Sequence, residues 1–220
     1  AIEQKLRKQI GRDFPDHAII GEEIESHSHT EKNEYTWIID PLDGTTNYIQ
    51  GIPYCCISIG IFKNHKPHIG VIYNPILNQL YTAQKGRGAT KNDESIRVSK
   101  AKSLKKSFGA VAWGRDVEAG SHMLKSIVHE TNKIRVFGSH ALSMCEVAAG
   151  TCDYFVDGGK TAKIWDIAAA QCIITEAGGI STDISGNQLH GFHSPDNIVS
   201  AATRGLHTEL LTFLQGLGRL

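Results

Sequence analysis

The chain has 220 residues, with 23 Lys+Arg set against 23 Asp+Glu and a hydrophobic share of 40%. That length can bury a sizeable core, as one large domain or two small ones, and the balanced charge excludes a global field that would draw nucleic acid or a membrane surface. Five cysteines, at 55, 56, 145, 152 and 172, form no Cys-x-x-Cys pair. Their spacing argues against a zinc knuckle or a disulfide framework and predicts reduced thiols in a cytoplasmic protein. No apolar run approaches the roughly 20 residues of a membrane span.

Ile2, Leu6 and Ile10 recur at four-residue spacing and predict an opening helix that Gly11 stops. This helix starts at Ala1 with no N-cap residue before it, so further residues are expected upstream. Ala18-Ile19-Ile20 reads as a short strand ending at Gly21-Glu22-Glu23, and the polar residues 24–36 read as a loop. His27 and His29 lie in that loop and are taken as solvated, since zinc would need a third ligand nearby.

The stretch from Trp37 to Asn47 dominates the chain. Trp37-Ile38-Ile39 predicts the end of a buried strand that runs into Asp40-Pro41-Leu42-Asp43, then Gly44-Thr45-Thr46-Asn47. Two carboxylates on a rigid strand end suit a shared cation. A glycine and hydroxyls opening a short helix suit a phosphate. An acidic turn without a ligand is the plainer alternative. Residues 55–62, 68–73 and 79–83 then predict an antiparallel meander packed on the opening helix, with turns at Asn64-His65-Lys66-Pro67, at Asn74-Pro75 and at Gly86-Arg87-Gly88.

Residues 97–106 carry five basic side chains and read as a solvated connection between halves. Strands over 107–113, 134–137 and 154–156 then alternate with helices over 121–132 and from Ser139 to Gly150. Asp166 precedes an almost wholly apolar helix that Gly178-Gly179 ends. Either it caps that helix, or it serves as a cation ligand that offsets the desolvation of a buried carboxylate.

Taken together, Gly21-Glu22-Glu23, Asp40-Pro41-Leu42-Asp43-Gly44-Thr45-Thr46-Asn47 and Trp165-Asp166-Ile167-Ala168 resemble the inositol monophosphatase family of magnesium-dependent, lithium-sensitive phosphomonoesterases. The resemblance covers nearly the whole chain in the same order. It implies an α+β fold, a layered α/β/α/β/α sandwich whose first helices precede this chain. Residues 1–100 would form an N-terminal half carrying most metal ligands, and residues 101–220 a C-terminal half carrying substrate-side residues, in a homodimer.

The same resemblance implies two or three Mg²⁺ ions. Glu22, Asp40 and the carbonyl of Leu42 would hold the first, and Asp40, Asp43 and Asp166 the second. Thr45 would orient the attacking water, and the N–H groups of Gly44 and Thr45 would hold the phosphate, with no phosphoenzyme. Gly138, Ser139, His140 and Asp157 would face the substrate, by default inositol monophosphate. Nucleotide, sugar bisphosphate and histidinol phosphate are alternatives, as is a non-catalytic partner-binding role.

Three departures mark this chain. The family's Thr-Asp pair would fall before Ala1. His140 stands where the family has a small residue, and reads either as a solvent-facing histidine or as an added donor in the pocket. Where inositol-cleaving members carry a glutamate, this chain offers Gly159 or, aligned forward from Cys145, Asp157 with Lys160 and Lys163 nearby.

Overall fold

The computed structural model describes residues 2–24, 33–114, 117–159, 162–189 and 191–218. Residues 25–32, including the expected loop histidines His27 and His29, lie outside the described residues, as does Lys160. Helix α1 (Ile2–Asp13) leads into strands β1 (Ala18–Gly21) and β2 (Tyr35–Asp43), then a short helix α2 (Thr45–Ile49). Strands β3 (Cys56–Lys63), β4 (Lys66–Asn74), β5 (Gln79–Gln84), β6 (Ala89–Lys91) and β7 (Glu94–Ile96) complete a seven-stranded sheet in sequential order. All its pairs are antiparallel except β1 with β2.

A single 3-10 turn at Leu104–Lys106 precedes β8 (Phe108–Ala112), α3 (Val117–Glu130), β9 (Lys133–Arg135) and α4 (His140–Ala148). There follow β10 (Tyr154–Asp157), α5 (Ile164–Glu176), β11 (Ile180–Thr182), β12 (Ile198–Ala201) and α6 (Arg204–Gly216). The second sheet has the order β11-β12-β10-β8-β9, with β8 parallel to both β10 and β9.

Side-chain alternation explains the layering. On β10, Phe155 turns to one core and Tyr154 and Val156 to another, as a period of two requires. The first core joins Ile38, Phe62 and Ile72 of the large sheet to Leu142 of α4, Ile167 of α5 and Phe155. The second packs Val111, Val156 and Val199 against Met123 and Ile127 of α3 and Leu206 and Leu210 of α6. With α1 against β2, the result is the expected α/β/α/β/α sandwich.

Helix α5 is buried continuously from Ile167 to Ile174, the state that an all-apolar helix demands. It reaches the large sheet through two glycines. A Cβ on Gly60 would lie 2.8 Å from the Ala168 carbonyl carbon, and one on Gly70 would lie 2.3 Å from the Ala169 carbonyl oxygen. The meander therefore packs chiefly on α5, whereas the opening helix touches it mainly at β2.

Several boundaries differ from expectation. Helix α1 runs through Gly11 to Asp13, because an interior glycine weakens a helix by only about 1 kcal/mol while Pro15 lies just beyond. Its most buried side chain is Glu3, held by Arg7 at 2.7 Å and by the Glu23 N–H at 2.8 Å. Helix α3 starts four residues before Ser121, whose hydroxyl donates to the Glu118 carbonyl instead of capping, and Gly120 seats the helix against Trp113. The β3–β4 hairpin turns on Asn64 and His65 alone, both with positive φ, so Lys66-Pro67 already belong to the strand.

Two substitutions test this packing. Gly70→Ala should destabilise by about 1–3 kcal/mol through overpacking against α5. Gly11→Ala, with open space around it, should stabilise by about 0.5–1 kcal/mol. Urea midpoints moving in opposite directions would bear out both placements.

Candidate active site

Asp40 and Asp43 lie on one strand. Ordinary alternation would put residues three apart on opposite faces, but the β2–β3 register shifts between Asp40 and Asp43, and this irregularity brings both to the same centre. The strand thus continues through Pro41-Leu42 instead of ending at Ile39. Asp166 arrives from the start of α5. It is the third residue of that helix, not its cap, and its carboxylate accepts the Lys163 N–H at 2.7 Å. Ligand atoms of Asp40, Asp43 and Asp166 all fall within 4.8 Å of one another.

Each of the three carboxylates is anchored through one oxygen. Asp40 Oδ1 accepts the Leu42 N–H at 2.8 Å, and Asp166 Oδ2 accepts that of Lys163. Asp43 Oδ2 accepts the Ser139 hydroxyl in a very short bond and the Ala141 N–H at 2.9 Å, both from the start of α4. That leaves Oδ2 of Asp40, Oδ1 of Asp43 and Oδ1 of Asp166 without a hydrogen-bond donor among the described residues. Carboxylate oxygens free to accept are the hard donors that a divalent cation prefers.

The electrostatics agree. Burial, then the charges of Asp43 and Glu22, push the Asp40 carboxyl up to about 10. Burial followed by Asp43 raises Asp166 to about 6. Negative charges crowded in low dielectric resist ionising together unless a cation joins them. Glu22 sits exposed at the end of β1, outside the tight group, yet its charge is felt by both Asp40 and Asp166.

Glycine, hydroxyl and amide groups surround the cluster. Gly44 has φ of 83°, and a side chain there would strike the Tyr54 carbonyl at 2.8 Å, so this position needs glycine. Thr45 is exposed and donates its hydroxyl to the Leu42 carbonyl at 2.9 Å. Asn47 ties α2 across to the second half, donating to the carbonyls of Tyr54 at 2.8 Å and Phe137 at 2.7 Å. Gly138 packs against it, and Ser139 caps α4.

His140 follows, four-fifths covered, with Nε2 3.2 Å from Oδ2 of the fully buried Asp157. The two are an ion pair misaligned for a hydrogen bond, while Asp157 Oδ1 accepts the Gly159 N–H at 2.9 Å. Burial alone would lower the imidazole's pKa, but Asp157, helped by Asp43 and Asp166, outweighs it and lifts His140 to about 9. Gly159 has no room for a side chain, since a Cβ would lie 2.1 Å from the Trp113 carbonyl oxygen. Of the two positions weighed for a carboxylate, Asp157 is the one that meets His140. Lys163 is exposed at the head of α5.

Sequence reasoning missed the anchoring of Asp43 by Ser139 and Ala141 and the strut formed by Asn47. The only local signal for the former was Ser139 ahead of a helix.

A strand-borne carboxylate cluster with a helix start beside it is an arrangement that suits hydrolysis of phosphate esters. Comparison with known proteins agrees. The model of the inositol monophosphatase family matches residues 1–217. "Inositol monophosphatase 2" of Solanum lycopersicum is 41% identical over 200 residues, covering 86% of this chain and 74% of that protein. The "Nus factor SuhB" of Pasteurella multocida (strain Pm70) is 35% identical over 219 residues, covering 98% and 80%. The solved inositol monophosphatase from Anabaena (Nostoc) sp. PCC 7120 superposes with a TM-score of 0.90 at 32% identity, covering 99% of this chain and 86% of that one. The chain belongs to the inositol monophosphatase family and is a phosphoric monoester hydrolase. No helix among the described residues is long and apolar enough to cross a membrane.

The raised carboxyls set the pH response of the metal-free protein. A carboxyl whose pKa rises on folding contributes stability while protonated. That contribution is complete below the ordinary 3.8 and is lost as pH climbs through about 6 for Asp166 and toward about 10 for Asp40. In a chelator, Tm should fall between about pH 5 and pH 8, and added Mg²⁺ should raise it more at the higher pH. An equal or larger Mg²⁺ effect at the lower pH would count against a cation at this cluster.

Proposed function

We propose that the chain hydrolyses a small phosphate monoester with Mg²⁺ held by Asp40, Asp43 and Asp166, together with Glu22 and the carbonyl of Leu42. The observation that carries this reading is the gathering of three buried or half-buried aspartates, with ligand atoms within 4.8 Å of one another and one oxygen of each fixed by a backbone N–H. Bound Mg²⁺ would supply positive charge to the phosphate and Lewis acidity to the displacement.

The chain's own groups do the positioning. Thr45 donates its only hydroxyl proton to the Leu42 carbonyl, so its lone pairs remain to accept from a water and hold it for in-line attack. The first-turn N–H groups of α2, at Gly44 and Thr45, have no acceptor within their own helix and suit phosphate oxygens. Water attacks phosphorus directly as the bond to the ester oxygen breaks, the alcohol leaves carrying a proton and inorganic phosphate remains, so no side chain is needed as a covalent carrier.

His140 and Asp157 flank the centre where the substrate's alcohol would lie. The pair presents an imidazolium held in place by its carboxylate, a fixed donor for hydroxyls or a second anionic group. Inositol monophosphate, the substrate named for the Solanum relative, is the default; nucleotide, sugar bisphosphate and histidinol phosphate are the alternatives. We extend the reading to two or three ions and to a lithium-sensitive cytoplasmic homodimer, on family resemblance. The Pasteurella relative, named as a Nus factor, supports a second reading in which the fold serves a partner.

Phosphate release from a panel of these esters with Mg²⁺ tests the proposal. Asp43→Asn should lower kcat by at least about 100-fold, and Thr45→Ala by about 10²–10⁴-fold with little change in KM. His140→Ala should change the ranking of substrates by KM while leaving the Mg²⁺ dependence in place. Full activity in Asp43→Asn would sink the reading, and silence of the intact protein across the panel would favour the partner role.

A further inference from the structure

A cavity of about 570 Å³ shares no lining residue with the carboxylate cluster. It opens toward the C-terminal end of α5, between the start of β4, the end of β5 and the first turns of α6. Its volume falls within the range of small-molecule sites.

Its floor is polar and neutral. Gln171 is only 5% exposed, lines the cavity, and makes no side-chain hydrogen bond with any described residue. The amide atoms keep some access to the cavity and offer a donor and an acceptor side by side to whatever enters. His207, also buried, is already engaged with the Thr182 hydroxyl at 2.9 Å.

The rim is cationic. Lys66, Lys85 and Arg204 line the opening, and none has an acidic partner among the described residues. Glu176 also lines the cavity, and its two carboxylate oxygens are each occupied, accepting the N–H groups of Gly86 and Gly88 at 2.9 Å. Ile180, Leu189 and Leu211 give the walls an apolar face.

We propose that this cavity is a second ligand site, distinct from the hydrolytic centre, for a phosphorylated metabolite with a neutral hydrogen-bonding body. The phosphate would lie among Lys66, Lys85 and Arg204, and the body would pack on Ile180, Leu189 and Leu211 within reach of the Gln171 amide. The inference does not depend on catalysis at the carboxylate cluster.

Titration of the full chain in a chelator isolates the site, because without a cation the carboxylate cluster repels phosphate. Calorimetry with adenosine monophosphate, glucose 6-phosphate and inorganic phosphate supplies the probes. At least one of the two organic phosphates should saturate a single site, with inorganic phosphate about tenfold weaker for want of a body to seat. Gln171→Leu should weaken the organic ligand about tenfold. Lys66→Gln with Lys85→Gln, both at exposed positions, should weaken it as well and flatten its salt dependence. Asp43→Asn should leave binding unchanged. Failure of both organic phosphates to saturate, binding indifferent to the Lys66 and Lys85 changes, or binding lost in Asp43→Asn would each overturn the proposal. If Gln171→Leu fails to give the thermal transition of the parent, Gln171→Glu, of the same shape, takes its place and should repel the ligand.

Discussion

The structure depends on how closely α5 approaches the large sheet. A helix apolar on every side has to be enclosed, and the sheet encloses this one by giving up side chains at Gly60 and Gly70 where the helix backbone crosses. The opposite face of the helix meets α4, and beyond α4 lies the second sheet. Seating α5 in this way also fixes where its first turn falls. Asp166 is delivered beside the irregular end of β2, so a packing constraint in the core determines the spacing of the carboxylates.

The cluster then shows how a protein can hold unfavourable charge ready. Anchoring one oxygen of each aspartate removes the rotational freedom that a cation would otherwise have to overcome, and burial raises the tendency of Asp40 to hold a proton in the cation's place. Asp43 is the most firmly tethered of the three, by a hydroxyl and an N–H at the head of α4, with the Cys56 thiol 3.8 Å away. His140 leaves the same helix start one residue later. The element that immobilises a carboxylate therefore also sets the imidazole beside it, and neither position can be altered independently of the other.

Much of this was legible in the sequence because it is local. Asp40, Asp43 and Thr45 sit in one short stretch. The strict alternation of β3, the apolar run of α5 and the cap at Ser139 each follow from a few neighbours. What escaped reading is long-range. Asp43 and Ser139 are 96 positions apart, and Asn47 and Phe137 are 90 apart, so nothing near either residue announces the contact. Glu3 was hidden by its type, since a carboxylate at a buried helix position looks like a solvated one until Arg7 and the Glu23 N–H are placed around it. The short strands β11 and β12 carried too little pattern to be read in advance, whereas the Thr203 cap and the four-residue spacing of Leu206, Leu210 and Leu214 do mark α6.

The shared core bears on the apparent division of the chain near residue 100. The large sheet is complete by Ile96, yet the inner face formed by Ile38, Phe62 and Ile72 is covered by helices that come later. A ribosome-bound chain that has emerged only this far would present a twisted sheet with one greasy side bare. Such an intermediate is open to wrong pairing until α4 and α5 arrive. The boundary visible in the sequence falls where the topology changes, and the core that joins Ile38, Phe62 and Ile72 to Leu142 and Ile167 runs across it.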